Sequence, residues 1–240
     1  MSTVLYSVES GVATIMLDRP EARNALNGAM CDELCAAAAR ATADSSVRLV
    51  LVRGNGPVFC AGADVKERQG MTKEAVRARR LKGFAAYAAI EALPMPVIAV
   101  VQGAALGSGV EIAAACDFIV ALPDAMFGTP EALRGTVGAT QRLPRVLGKR
   151  LAKDMMFTGR RLTAEEARAL GLVARVFQHE SFETSLQEII NIILAAPPAA
   201  LQLAKRCIDR GVELDPQGAL ELELQAIDEQ LDSGQWMGKS

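Results

Sequence analysis

Two glutamates sit where a carboxylate could do acid–base work. Glu111 opens an apolar stretch, Val110-Glu111-Ile112-Ala113-Ala114-Ala115-Cys116, directly behind a loop of small residues from Gly103 to Gly109. A helix with no polar face is a buried helix, so a carboxylate there is costly unless something compensates it. A place in the first helical turn, at the positive end of the helix dipole, offsets part of that cost. Glu131 follows Thr129 and Pro130, an order that predicts an N-cap, a proline at the first helical position and a carboxylate. Each glutamate alone has an ordinary reading: a buried Glu can simply pair with an arginine, and Pro-Glu opens many helices. Together, beside backbone N–H groups that glycines leave accessible, they predict an acid/base pair next to a row of hydrogen-bond donors.

The elements around them read as strands alternating with helices. The β-branched run Val97 to Val101 predicts a strand buried on both faces, and Phe118 to Leu122 a second, with a helix from near Val110 between them. Upstream, Leu5–Val8 and Val12–Leu17 flank Ser10-Gly11 as a hairpin, followed by a helix over Gly28–Thr42 and a buried strand over Leu49–Val52. Phe59-Cys60-Ala61-Gly62-Ala63-Asp64 is a second small-residue loop with accessible backbone donors. The helix Thr72–Leu93 carries Lys73, Arg77, Arg79, Arg80 and Lys82, either a solvated basic face or a site for a ligand bearing phosphates. Downstream come helices over Leu143–Leu147 and Lys149–Phe157, a capping-box start at Thr163 to Glu166, and a last strand over Gly171–Phe177. Three helical patterns follow: Phe182–Ala195, Pro198–Gly211 and Pro216–Leu231. The expected organisation is an α/β core over residues 1–178 and a helical region over 179–240, with no linker or repeat between.

Several function classes fall away on composition. A net charge of −2 over 240 residues, with no aromatic-plus-basic surface signature, predicts no nucleic-acid partner. Five cysteines without a CxxC pair, and a single histidine, argue against a zinc site and against a disulfide framework. The first residues show neither a secretory signal nor an Arg/Ser-rich transit pattern, and glycines, Glu111 and Asp117 interrupt the apolar run Val97–Leu122. These observations predict a reducing, cytoplasmic location and no membrane span. Gly107-Ser108-Gly109-Val110-Glu111-Ile112 has Ile where a dinucleotide fingerprint needs its third glycine, and no Walker-type loop occurs. Ser108 is flanked by Leu106 and Val110, not by the glycines of a nucleophile elbow, and the sole candidate base, His179, lies at the core–tail junction.

Taken in order, the segments resemble the enoyl-CoA hydratase/isomerase (crotonase) family over essentially the whole chain. The matching pieces are Leu17-Asp18-Arg19-Pro20 with Asn24-Ala25-Leu26, then Phe59 to Lys66, then Pro96-Val97-Ile98-Ala99 with Gly103 to Gly109. Cys116-Asp117, Phe127 to Glu131, Thr140-Gln141-Arg142-Leu143 and Leu170-Gly171-Leu172-Val173 complete the set. The resemblance implies a spiral of ββα units whose C-terminal helices assemble three subunits, or two such trimers.

It also implies a chemistry. A coenzyme A thioester would set its carbonyl oxygen between the backbone N–H groups of Ala63 and Ser108, where an enolate forms. By the same resemblance Glu111 activates water and Glu131 supplies the proton, a coupled pair acting as an enoyl-CoA hydratase. Ala61, Ala63, Asp64, Val65 and Lys66 would line the adenine and phosphate end of the coenzyme. Coenzyme A then belongs to the substrate, and neither a separate cofactor nor a metal is implied. Double-bond isomerisation, or hydratase/lyase action on an aromatic acyl-CoA, is the alternative within the family. A non-catalytic scaffold or RNA-binding role is a further one. Three departures from the family pattern stand out: Ser108 at the centre of its usual Gly-Gly-Gly, a short segment Gly135–Thr140, and an end at Met237–Ser240 ahead of a basic C-terminal segment. The last predicts that part of the acyl lid or adenine contact is missing or comes from a neighbouring subunit.

Overall fold

The computed structural model describes residues 2–232; Met237–Ser240 lie outside the described residues. Strands β1 (Val4–Glu9) and β2 (Val12–Leu17) form the expected hairpin. Its turn residues Ser10 and Gly11 both have positive φ, 49° and 81°, the left-handed pair a two-residue hairpin turn uses. Helix α1 (Gly28–Ala43) is capped by Asn27, whose side chain accepts from the Met30 amide, and buries Met30, Cys31, Leu34, Ala37, Ala38 and Ala41 along one stripe. Strand β3 (Leu49–Gly54) and helix α2 (Lys73–Glu91) follow, with Thr72 capping α2 through the Ala75 amide.

Strand β4 (Val97–Val101) is buried along its whole length, and the reason is visible in its neighbours. Val97, Ala99 and Val101 point into the main core with α1, whereas Ile98 and Val100 face a second cluster. That second cluster is closed by Phe182, Leu186, Ile189 and Ile190 of a later helix, so both faces of the strand are dry. After β4 come β5 (Ala104–Leu106), α3 (Ser108–Ala114), β6 (Phe118–Ala121), β7 (Met126–Gly128) and α4 (Arg142–Thr158). The remainder is β8 (Arg161–Thr163), α5 (Ala164–Ala169), β9 (Arg175–Val176), α6 (Phe182–Ala195), α7 (Pro198–Gly211) and α8 (Pro216–Asp232). Two sheets result. The larger runs β1-β2-β3-β4-β6-β9, parallel apart from the first hairpin, and the smaller runs β5-β7-β8. Among the described residues no single helix is long and apolar enough to cross a membrane; α6 and α7 qualify only as a pair bent by 101°.

The structure corrects several expectations. The Gly103–Gly109 loop contains β5, because its small residues pair in parallel with β7 from Ala104↔Met126 to Leu106↔Gly128. Helix α3 begins at Ser108, two residues earlier than Val110. The last strand shrinks from Gly171–Phe177 to Arg175–Val176. Thr129-Pro130-Glu131 opens no α-helix. A single 3-10 turn, Ala132–Arg134, follows Glu131 and is stopped by Gly135 in the left-handed region, φ 68°. Thr129 makes no cap, and its buried Oγ1 has no partner. The two helices expected over Leu143–Leu147 and Lys149–Phe157 are borne out: the run Arg142–Thr158 is two helices meeting at Gly148, whose φ 73° and ψ 158° are not helical.

Candidate active site

The floor of the site is a seam between two loops. The Cys60 N–H donates to Ala104 O at 3.0 Å, and the Leu106 N–H donates back to Cys60 O at 2.9 Å, lacing the segment after β3 to β5. Two residues on, Gly62 has φ 101°, and a methyl group there would lie 2.9 Å from Leu106 O and 3.9 Å from Ser108 N. Only glycine allows this approach. Ala63 bridges Leu26: the Leu26 N–H donates to Gly62 O and the Asp64 N–H donates to Leu26 O, each at 2.8 Å. That pattern uses the Gly62 carbonyl and the Asp64 N–H and leaves the N–H of Ala63 itself uncommitted. Ser108 is the first residue of α3, where a helical N–H has no partner within the helix. Its side chain lies near the Tyr87 phenol, whose pKa is pushed up by burial, a rise that Ser108 opposes. Ala63 and Ser108 line one cavity, with Val65, Phe84, Tyr87 and Val137 among its walls.

Both glutamates line the same cavity. Glu111 is 5% exposed, and the Arg142 guanidinium reaches its Oε2 from α4 at 3.2 Å. Burial pushes its pKa up from 4.5, with Glu91 adding to the rise and Arg142 opposing it. Glu131 rests against the backbone of Gly107, where a methyl group would collide with Oε1, and against Gly138, where one would lie 3.1 Å from Cγ. Burial likewise raises its pKa; the charge of Glu111 adds to this, while Arg134 and Arg80 pull the other way. Each carboxyl group keeps one buried oxygen without a partner, Oε1 of Glu111 and Oε2 of Glu131. Buried polar atoms are normally satisfied, so a pair of orphans in one cavity marks a place where something else is meant to bind.

The segment Ala61–Lys66 divides. Ala61, Ala63 and Val65 line the cavity, whereas Asp64 and Lys66 do not. Asp64 turns the loop instead: its Oδ1 accepts the Lys66 and Glu67 amides at 3.0 and 3.3 Å, and its Oδ2 pairs with Arg19 at 3.1 Å. These partners hold its carboxyl below the usual range despite burial. Lys66 is exposed. His179 contacts Asp124 at 3.5 Å on the surface and does not line the cavity, so Ser108 has no histidine base. All five cysteines are free, and among the described residues no three His, Cys, Asp or Glu side chains cluster as metal ligands.

Comparison with known proteins decides the family. The enoyl-CoA hydratase/isomerase family model matches residues 7–236. The chain belongs to the enoyl-CoA hydratase/isomerase family. It is 43% identical over 229 residues to human enoyl-CoA hydratase domain-containing protein 2, mitochondrial, covering 91% of this chain and 78% of that protein. The short-chain-enoyl-CoA hydratase of Clostridium acetobutylicum is 37% identical over 233 residues, covering 95% and 89%. The crystal structure of an enoyl-CoA hydratase from Bacillus anthracis superposes with a TM-score of 0.90 at 36% identity, covering 94% and 90%. The architecture is thus the crotonase fold.

The sequence reading gave Arg79 and Arg80 a solvated basic face or a phosphate site, and Arg142 a place in a family motif; the structure gives all three internal partners. Arg142 pairs with Glu111 and Glu91 and stacks over Tyr87, its Cζ 5.8 Å from the ring centroid. Arg79, 7% exposed, donates to Leu26 O and to Glu67 Oε2 at 2.9 Å, while Glu67 Oε1 accepts the Gly28 amide at 2.7 Å. It therefore fixes the carbonyl on which the Ala63 loop hangs. Arg80 binds the segment after Glu131. The signal available in the sequence is that Lys73, Arg77 and Arg80 fall on one side of α2 and Arg79 and Lys82 on the opposite side, and a packed helix cannot solvate both.

Proposed function

We propose that this chain is a 2-enoyl-CoA hydratase. The observation that carries the reading is the pair of buried carboxyl groups, each with an unpartnered oxygen, in one cavity with two uncommitted backbone amides. The thioester carbonyl oxygen lies between the N–H groups of Ala63 and Ser108, which stabilise the enolate more than the ground state, roughly 3 kcal/mol per donor. Glu111, held beside a guanidinium, is the ionised partner and takes a proton from water as its oxygen bonds to Cβ. Glu131 has no hydrogen-bonded cation, sits next to the charge of Glu111, and donates its proton to Cα. The two titrate as a pair, and the step leaves Glu111 protonated and Glu131 ionised, reset by one proton transfer. Water is consumed, there is no net oxidation or reduction, and coenzyme A enters only with the substrate, so the reaction needs no separate cofactor.

Crotonyl-CoA tests this directly. Loss of the conjugated enoyl-thioester absorbance with wild type, and not with Glu131→Gln, is the expected result; no loss with any enoyl-CoA overturns it. The short segment Gly135–Thr140 favours a second reading, a double-bond isomerase or an aromatic acyl-CoA hydratase/lyase, which product analysis across acyl-CoAs would reveal.

Assembly and location belong to the same proposal. Val212 at 76% exposure, with Ile208, Leu220, Leu224 and Ile227, leaves α7 and α8 an apolar surface suited to a homotrimer or a dimer of trimers, which sedimentation velocity would detect. The net charge of −2 supports no nucleic-acid partner. Five free thiols support a reducing compartment, which we assign to the cytoplasm; cell fractionation would test it.

A further inference from the structure

The segment after Glu131 is fastened from outside. Its own backbone bonds are local: Gly135 N–H to Ala132 O, and Thr136 N–H to Glu131 O, each at 3.0 Å. It has little apolar anchorage along its middle, since the Val137 side chain is among the most exposed large apolar groups of the chain. It ends at Ala139, buried with φ 55°, a left-handed conformation that a non-glycine residue keeps only when its surroundings impose it. Among the described residues, the hydrogen bonds that reach Thr136–Ala139 from another element come from Arg80 on α2. Its Nη1 donates to Val137 O at 2.6 Å and its Nη2 donates to Thr136 Oγ1. Between that double grip and the buried Ala139 lies Gly138, in contact with the Glu131 stem.

We propose that Arg80 is a positioning residue for the hydratase reaction: its two-point hold on Thr136 and Val137 presses Gly138 against Glu131 and so sets where that carboxyl group meets the substrate. The inference rests on the function proposed above and names a residue outside the acid/base pair. A guanidinium suits the task because its planar fork serves a carbonyl and a hydroxyl at once, which an ammonium on a flexible stem cannot match. Arg80 also places a positive charge near Glu131, which Arg134 faces from the 3-10 turn and Glu111 from α3.

Two variants separate grip from charge. Arg80→Met keeps the stem and loses both donors; Arg80→Lys keeps the charge and loses the fork. Arg80→Met should lower kcat with crotonyl-CoA by about 10- to 100-fold with KM within about threefold, as expected for a displaced reacting group. Without the cation Glu131 holds its proton to higher pH, so the alkaline limb of the kcat profile moves up in Arg80→Met. It stays at the wild-type position in Arg80→Lys, whose kcat nevertheless falls. Hydrogen exchange reads the hold without turnover: amides 136–139 should exchange faster in both variants while those of β4 and α1 do not change. Unchanged exchange at 136–139, or a wild-type kcat in Arg80→Met, overturns the proposal. Faster exchange in the variants of a protein whose wild type hydrates no enoyl-CoA would leave the hold standing and remove the hydratase reading instead.

Discussion

Arg142 stands between Glu91 and Glu111, with Nη1 3.2 Å from Oε2 of Glu111 and Nη2 on Oε2 of Glu91. One guanidinium thus joins a surface carboxylate to a buried one. The buried partner gains a counter-charge, and the cation gains a fixed direction. Among the described residues, Arg142 is the one side-chain partner that compensates the buried charge of Glu111.

Removing that cation should act through the titration of Glu111. In Arg142→Met the pKa of Glu111, already raised by burial, rises further because the opposing charge is gone. Glu111 must be ionised to accept a proton from water, so the acid limb of kcat/KM moves to higher pH. Stability falls by about 3 kcal/mol at pH 8, the cost of leaving a buried charge unpaired, and by less at pH 5 where Glu111 can take up a proton. An acid limb that does not move would show that Arg142 does not act on Glu111.

Glu131→Gln should lose activity and gain stability, with a pH signature. Turnover falls by roughly 100- to 10,000-fold, the range of a lost general acid. The folded-state pKa of Glu131 lies above its unfolded value of about 4.5, so this residue favours folding below that value and costs stability as pH rises through the raised one. The neutral amide removes the cost. Thermal melts should therefore show a higher Tm for the variant at pH 8 and little difference near pH 4. A lower Tm at pH 8 would mean the carboxylate is better compensated than its orphaned oxygen indicates.

Proline at position 108 isolates a backbone donor. Ser108 is the first residue of α3, a position where proline is tolerated because its N–H has no helical partner. Ser108→Pro should keep the helix and lower kcat by about 100- to 1,000-fold, the usual cost of one oxyanion donor. Ser108→Gly keeps the N–H and loses only the side chain beside Tyr87. Its kcat is expected within a few-fold of wild type. Equal losses in the two variants would assign the effect to the hydroxyl.

A methyl group at Gly138 tests the seat of Glu131. Its Cβ would lie 3.1 Å from Glu131 Cγ, tighter than ordinary contact, so the carboxyl stem has to give by a few tenths of an ångström. Gly138→Ala should retain the circular dichroism of the wild type and lose roughly 10-fold or more in kcat. Unchanged kcat would show that the stem relaxes without consequence.

Much of this is legible in the sequence alone. The Val97–Val101 run announces a strand dry on both sides, and glycines at 62, 103, 107 and 109 mark the close approaches. Glu111 stands out because its neighbours on every side of the helix are apolar. Glu131 was found with a wrong reason attached, since Pro-Glu opens only a 3-10 turn. The short strands β5, β7 and β8 were missed because three residues carry no measurable period, and their pairing is with segments far away in the chain. The partners of the arginines are not legible for a different cause. Charge on a helix reads as solvated until the facing surface is known, and Arg79, Arg80 and Arg142 each find their partners on another element.

The seam that laces Cys60 to Ala104 and Leu106 has one further consequence, for inheritance. The proposed donors are peptide groups, and every L-residue but proline supplies one. Among substitutions at position 63 or 108, only one to proline deletes the group that would hold the developing charge. The walls are different: Val65, Phe84, Tyr87 and Val137 meet a ligand through their side chains. Descendants of this chain can therefore trade acyl preference by single substitutions while the electrophile's seat passes on unaltered. The diversity of such a lineage would be written in its walls and its continuity in its main chain.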